Sequence, residues 1–74
     1  MIWGYRFVEV QQHLARLGYQ QVGTVEGIVI FRNGEAIFTI REPNVLGSLP
    51  ENLVLDAFDN AGLPPPEPAA AYVD

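Results

Sequence analysis

Two runs of alternating apolar residues meet at Asn33-Gly34, and this junction constrains the chain more than any other feature in it. Asn-Gly between alternating hydrophobic residues is the strongest short-range hairpin signal, because a type I′ turn needs φ > 0 at both central residues. A hairpin from Val25 to Arg41 with that dipeptide as its loop places Arg32 opposite Glu35, Ile30 opposite Ile37, Ile28 opposite Thr39 and Glu26 opposite Arg41. Side chains alternate across a strand, so these residues share one face, and Val25, Val29, Phe31, Ala36, Phe38 and Ile40 share the other. The second set reads as core. The first sets isoleucines between oppositely charged pairs, and a face that met only water would have no need of them. Ile28, Ile30, Ile37 and Thr39, rimmed by Arg32, Glu35, Glu26 and Arg41, are therefore the candidate partner-binding residues.

The flanking segments supply two helices and one more strand. Phe7, Val10, Leu14 and Leu17 recur at spacings of three and four, which predicts a helix over Tyr5 to Leu17 with Gly18 at its left-handed C-terminal cap. Tyr19 to Thr24 reads as a first strand, weakened by Gly23. Pro43 marks the loop over Glu42 to Gly47, since it has no N–H to extend a ladder. Ser48-Leu49-Pro50-Glu51 has the spacing of a capping box, with Ser48 as the cap. A second helix follows to about Ala61, with Leu53, Val54, Ala57, Phe58 and Ala61 as its apolar stripe and Gly62 as its stop. The expected fold is α+β, in the order α-β-β-β-α. A three-stranded antiparallel sheet with both helices on one face satisfies that order with short connections. The helices then cover Val29, Phe31 and Phe38, and no element remains for the isoleucine face. Residues 1–63 form the single domain. Residues 64–74 read as a Pro/Ala-rich acidic tail, extended and mobile.

Charge and residue usage narrow the function. The formal net charge is −5 and all four basic residues are arginine, so no basic stripe is available for nucleic-acid phosphates. The chain has no cysteine, and no zinc ligand set or calcium-loop pattern appears, so no metal or other cofactor is expected. Glu51, Asp56 and Asp59 read as the solvated face of the second helix. There is no long uncharged apolar run and no signal-peptide pattern at the start, so the expectation is a cytoplasmic protein of bacterial or phage origin with no membrane association. His13 is the only histidine and reads as a surface or boundary helix residue, while capping accounts for Ser48, the only serine. Gly23 and Gly27 lack the Lys-Ser/Thr of a phosphate loop and read as strand irregularity. Trp3 and Tyr5 read as anchors of the N-terminus, although an exposed Trp3 would instead indicate a contact residue.

Several local strings, together with this order, resemble the HicA (YcfA-like) family of small bacterial toxins. They are Leu14-Ala15-Arg16-Leu17-Gly18-Tyr19, Gly27 before an apolar strand ending at Phe31, Thr39-Ile40, and Gly47-Ser48-Leu49-Pro50 leading to Ala61-Gly62-Leu63. The resemblance implies a fold like the double-stranded-RNA-binding domain and, for active members, messenger-RNA cleavage by a histidine just after the glycine of the second strand. Here Ile28 or Val29 occupies that position. Neither hydrocarbon transfers a proton, so the resemblance implies a toxin fold without the ribonuclease step.

Two functions from different classes are expected on these grounds. The first is a non-catalytic protein-interaction module whose isoleucine face binds a second copy of the chain or a heterologous bacterial protein, as a toxin–antitoxin derivative or an inhibitor of a bacterial complex. The alternative is an active HicA-type mRNA interferase.

Overall fold

Phe31 and Phe38 face each other across the central hairpin with ring centroids 6.1 Å apart, and the rest of the chain is built around that pair. The structure is a computed structural model that describes residues 2–66 and 70–72. Three strands, β2 (Gln20–Val25), β3 (Ile28–Asn33) and β4 (Ala36–Arg41), form an antiparallel sheet in the order β2-β3-β4. Val29, Phe31, Phe38 and Ile40 are buried on one face of it. Helices α1 (Phe7–Arg16) and α2 (Glu51–Asn60) bury Val10 and Leu14, and Val54 and Phe58, in the same core. The α+β class and the helix-covered three-stranded sheet are thus as the periodicity predicts. Aromatic contacts run through the interior: Phe38 touches Tyr19 at 6.4 Å and Phe58 at 4.7 Å, and Phe31 touches Phe7 at 6.4 Å.

Both helices end in the same way. The Gly18 and Gly62 backbones take positive φ, +93° and +68°. The following residues, Tyr19 and Leu63, donate back to the Leu14 and Phe58 carbonyls, each at 2.9 Å. This is the Schellman arrangement, with its companion apolar contact supplied here by core residues. Glycine is required because a Cβ at left-handed φ meets the following carbonyl.

A second antiparallel sheet, not expected from the sequence, has the order β5-β1-β6. β1 (Ile2–Arg6) occupies the segment at which the helical pattern begins, so α1 starts at Phe7 rather than Tyr5. Tyr5 explains the difference. It pairs with Leu49 of β5 (Ser48–Pro50), and both are buried, which satisfies the aromatic residue in strand rather than helix geometry. Gly4 pairs with Pro50, and a Cβ there would run into the Leu49 carbonyl oxygen.

Pairing of β5 also corrects the expected cap of the second helix. Ser48 faces Arg6 in the ladder, its N–H donates to Asn44 Oδ1 at 2.9 Å, and α2 begins after Pro50 without a side-chain cap. Pro50 is extended (φ −59°, ψ 145°) and contributes no N–H of its own, so little is lost at that terminus.

Residues 70–72, placed by composition in a tail, form β6 (Ala70–Tyr72) on the free edge of β1, with Trp3 opposite Ala71. Pro66 is buried, and the Pro64 carbonyl oxygen lies 2.8 Å from His13 Nε2. The chain beyond Leu63 therefore adds structure to the domain at these points. The expected boundary at residue 63 took proline only as a helix stop. The remaining tail residues, 67–69, 73 and 74, lie outside the described residues.

Candidate protein-interaction face

Two tight turns set the geometry of the sheet. Between β2 and β3 the central residues are Glu26 and Gly27, both with positive φ (+50° and +79°), the signature of a type I′ turn. Between β3 and β4, Asn33 pairs with Ala36, and the loop is Gly34-Glu35 with positive φ (+61°) at Gly34 alone. That is the pattern of a type II′ turn, which takes glycine at its first central position. The expected I′ turn at Asn33-Gly34 is corrected accordingly. Asn33 remains in the ladder, and its side-chain amide donates to the Leu17 carbonyl at 3.3 Å, tying the hairpin to the end of α1.

Displacing the loop by one residue moves every facing partner by two positions, which changes the neighbours and preserves the faces. Ile28 faces Arg41, Ile30 faces Thr39, and Arg32 faces Ile37. The expected charge pairs Arg32 with Glu35 and Glu26 with Arg41 do not form across the sheet. Glu35 and Glu26 sit in the two turns, and Arg32 Nε donates to the Gly34 carbonyl at 2.8 Å. The polar rim is thus a set of separate charges at the two ends of the hairpin.

The isoleucine face itself is present and open. Ile28 is 39% exposed, Ile37 is 55% exposed and Ile30 is half-buried, whereas Val29, Phe31, Phe38 and Ile40 on the opposite face are buried. β2 extends the apolar surface. Val25 pairs with Ile28, shares its face and is 58% exposed. Sequence alternation had placed Val25 with the core, but the two-residue turn at Glu26-Gly27 inverts the parity between β2 and β3. Val22, exposed to a similar degree, lies at a register shift between Gln21 and Gly23. A bulge of this kind gives an additional residue to one strand, and the signal for it was the Gly23 that weakened the strand pattern. Val25, Ile28, Ile30 and Ile37 are therefore near neighbours across three strands, with Thr39 and Arg41 beside them.

Other candidates resolve more simply. His13 is half-buried between Phe58, 5.4 Å away ring to ring, and the Pro64 carbonyl, a boundary position as expected. Tyr5 anchors the N-terminal strand, but Trp3 is 59% exposed and joins the surface. Among the described residues, no three histidine, aspartate or glutamate side chains gather as metal ligands, and no helix is long and apolar enough to cross a membrane.

A sheet with one face under two helices and an apolar opposite face defines a module suited to association. Residues 9–55 match the NAC domain, nearly two thirds of the chain, and the protein belongs to that family. No curated protein and no solved structure matches it. The matched segment contains β2, β3 and β4 whole, and hence the open face with all the residues named on it. NAC domains are non-enzymatic protein-interaction domains that form dimers and complexes with other proteins.

Family membership corrects the resemblance to HicA toxins, and with it the toxin–antitoxin and phage settings and the interferase alternative. The strings that carried the resemblance have local explanations. Leu14 to Tyr19 and Ala61-Gly62-Leu63 are the two Schellman helix ends, and Gly47 to Pro50 is the loop and strand that pair with β1. Short strings set by helix termination recur in unrelated folds and say little about descent.

Proposed function

We propose that this chain is a protein-interaction module that works through the open face of β2, β3 and β4, with a second copy of the same face as its simplest occupant. The observation that carries the reading is the exposure of Val25, Ile28, Ile30 and Ile37 on adjoining strands of one sheet face, inside the segment matched to the NAC domain. Covering an apolar side chain of this size contributes about 1.5–3 kcal/mol when burial is complete. A two-fold contact counts each residue twice, which is how a small face can offset the cost of association. Arg32 and Arg41 at the edges, with Glu26 and Glu35 in the turns, give the rim both signs of charge. Such a rim sets orientation more than affinity.

The module acts by contact, and the reading assigns no catalytic step. Hydrocarbon side chains dominate the face, and they exclude water without transferring protons.

Light scattering coupled to size exclusion tests the proposal on the full chain. The wild type should elute with a concentration-dependent mass rising toward twice the 8.2 kDa of one copy. The double variant Ile30→Thr/Ile37→Thr should keep the circular dichroism of the wild type and remain at the mass of one copy. A wild type that stays at one copy across the accessible concentrations would overturn self-association. A double variant that associates as well as the wild type would remove this face from the contact.

A further inference from the structure

We infer a second binding site, at the edge of the sheet: the cleft between β4 and α2 takes the carboxyl terminus of an extended apolar peptide as an added strand. β4 is the last strand in the order β2-β3-β4, so its outer edge has no strand partner among the described residues. Beside its C-terminal half lies a groove of about 450 Å³. One wall is Thr39, Ile40 and Arg41 of β4. The other is Leu53, Ala57 and Asn60, which recur at helical spacing and form a stripe on α2 adjacent to the core positions Val54 and Phe58. A sheet edge facing a helix across an apolar cleft is the setting for strand addition, in which the edge supplies main-chain hydrogen bonds and the cleft receives alternate side chains.

The dimensions and charge point to a chain terminus. Only the last three residues of β4 line the groove, a length of about 10 Å at roughly 3.3 Å per residue. That holds three or four residues of peptide rather than a long through-running segment. At the end of β4, Arg41 contributes the one cation of the groove, opposite Ile28 of β3. A guanidinium binds a carboxylate through paired N–H donors. Asp56 lines the helix wall, and it repels a carboxylate placed on that side, which directs the peptide terminus toward the strand. The site is separate from the open face except for Ile28, which reaches both.

Amide chemical-shift mapping on the full chain tests this, with the peptide acetyl-Val-Thr-Val-Val as free acid and as C-terminal amide. Added free acid should shift the amides of 39–41 and 53–60, leaving those of Val22, Val25 and Ile30 in place. The amidated peptide should bind roughly tenfold more weakly, the effect of losing one charged hydrogen-bonded contact. Arg41→Gln should abolish the difference between the two peptides, and Arg41→Lys should restore part of it. Asn60→Trp, at an exposed position on α2, should block both. Shifts confined to the open face, equal binding of acid and amide, or no shift with either peptide would each overturn the assignment. None of those outcomes bears on self-association, which is read from molecular mass.

Discussion

His13 Nε2 lies 2.8 Å from the carbonyl oxygen of Pro64, a residue 51 positions further along the chain. The contact ties the middle of α1 to the segment that leaves α2, and the His13 ring also packs 5.4 Å from Phe58. The imidazole N–H donates and the proline carbonyl accepts, so a proline that can donate nothing is held by its oxygen. His13→Ala removes both contacts. The expected loss is about 1 kcal/mol, with a Tm lower by roughly 4–8 °C for a domain of this size. Thermal unfolding followed by circular dichroism checks it, and an unchanged Tm would show that the contact adds nothing net.

Deleting residues 64–74 takes away more: the Pro64 carbonyl, the buried Pro66 and the strand Ala70–Tyr72 on the edge of β1. A chain ending at Leu63 should unfold at lower urea concentration than the full chain. Its urea dependence should also be shallower, because less surface is exposed on unfolding. Identical urea curves would show that these residues contribute no stability.

Asn44 organises the loop between β4 and β5 with a single side chain. Its Oδ1 accepts from Leu46 N–H and Ser48 N–H, each at 2.9 Å, and its backbone pairs with Gly47 and Ser48. Asn44→Ala leaves two backbone donors without that acceptor and should cost about 1–2 kcal/mol. Amide hydrogen exchange should accelerate at Leu46 and Ser48 before it does in the core strands. Uniform acceleration across the domain would instead assign Asn44 a global role.

Glu26 holds φ at +50° beside Gly27 at +79°. Among ordinary residues, asparagine tolerates that region and glutamate does so only at a cost. Glu26→Asn should therefore stabilise the chain by about 0.5–1 kcal/mol, and Gly27→Val should destabilise it by about 1–2 kcal/mol. Chemical denaturation of the pair settles both signs. A destabilising Glu26→Asn would mean that the carboxylate makes a contact worth more than the backbone strain.

These two turns also show where the sequence was legible. Alternation along β3 and β4 reported faces correctly, because a facing partner displaced by two positions leaves every side chain on its own side. It could not report register. Asn33-Gly34 carries the composition of a type I′ loop, yet Asn33 is held in the ladder by its bond to Leu17. Leu17 lies 16 residues away in sequence, and local propensity has no access to it. Glu26-Gly27 adopts the I′ conformation without its preferred first residue, so Val25 was assigned to the wrong face. The strand pairing of Tyr5 with Leu49 was hidden for a related reason. Its partner is distant, and the apolar residues after it continue a helical period. By contrast, the helix ends at Gly18 and Gly62, the core phenylalanines and the open isoleucine face all follow from local spacing.

The two faces of one hairpin should respond oppositely to substitution. Phe38 touches Phe31, Tyr19 and Phe58 and is 1% exposed, so Phe38→Ala leaves a cavity that neighbouring rings cannot fill. The expected cost is about 3–5 kcal/mol, comparable to the whole stability of a marginal domain, roughly 5–15 kcal/mol. Ile37, the preceding residue, is 55% exposed, and its side chain points to the other side of the sheet. Ile37→Thr preserves β-branching and should change the stability of a single copy by about 0.5 kcal/mol or less. Measured at concentrations where the chain is dissociated, the two variants separate packing within one copy from contact between copies. At high concentration Ile37→Thr should lose whatever concentration-dependent stabilisation the wild type gains, because a surface that binds another copy stabilises the folded state by mass action. A cost at Ile37 as large as that at Phe38 under dilute conditions would mean that both faces of this sheet are buried within a single copy.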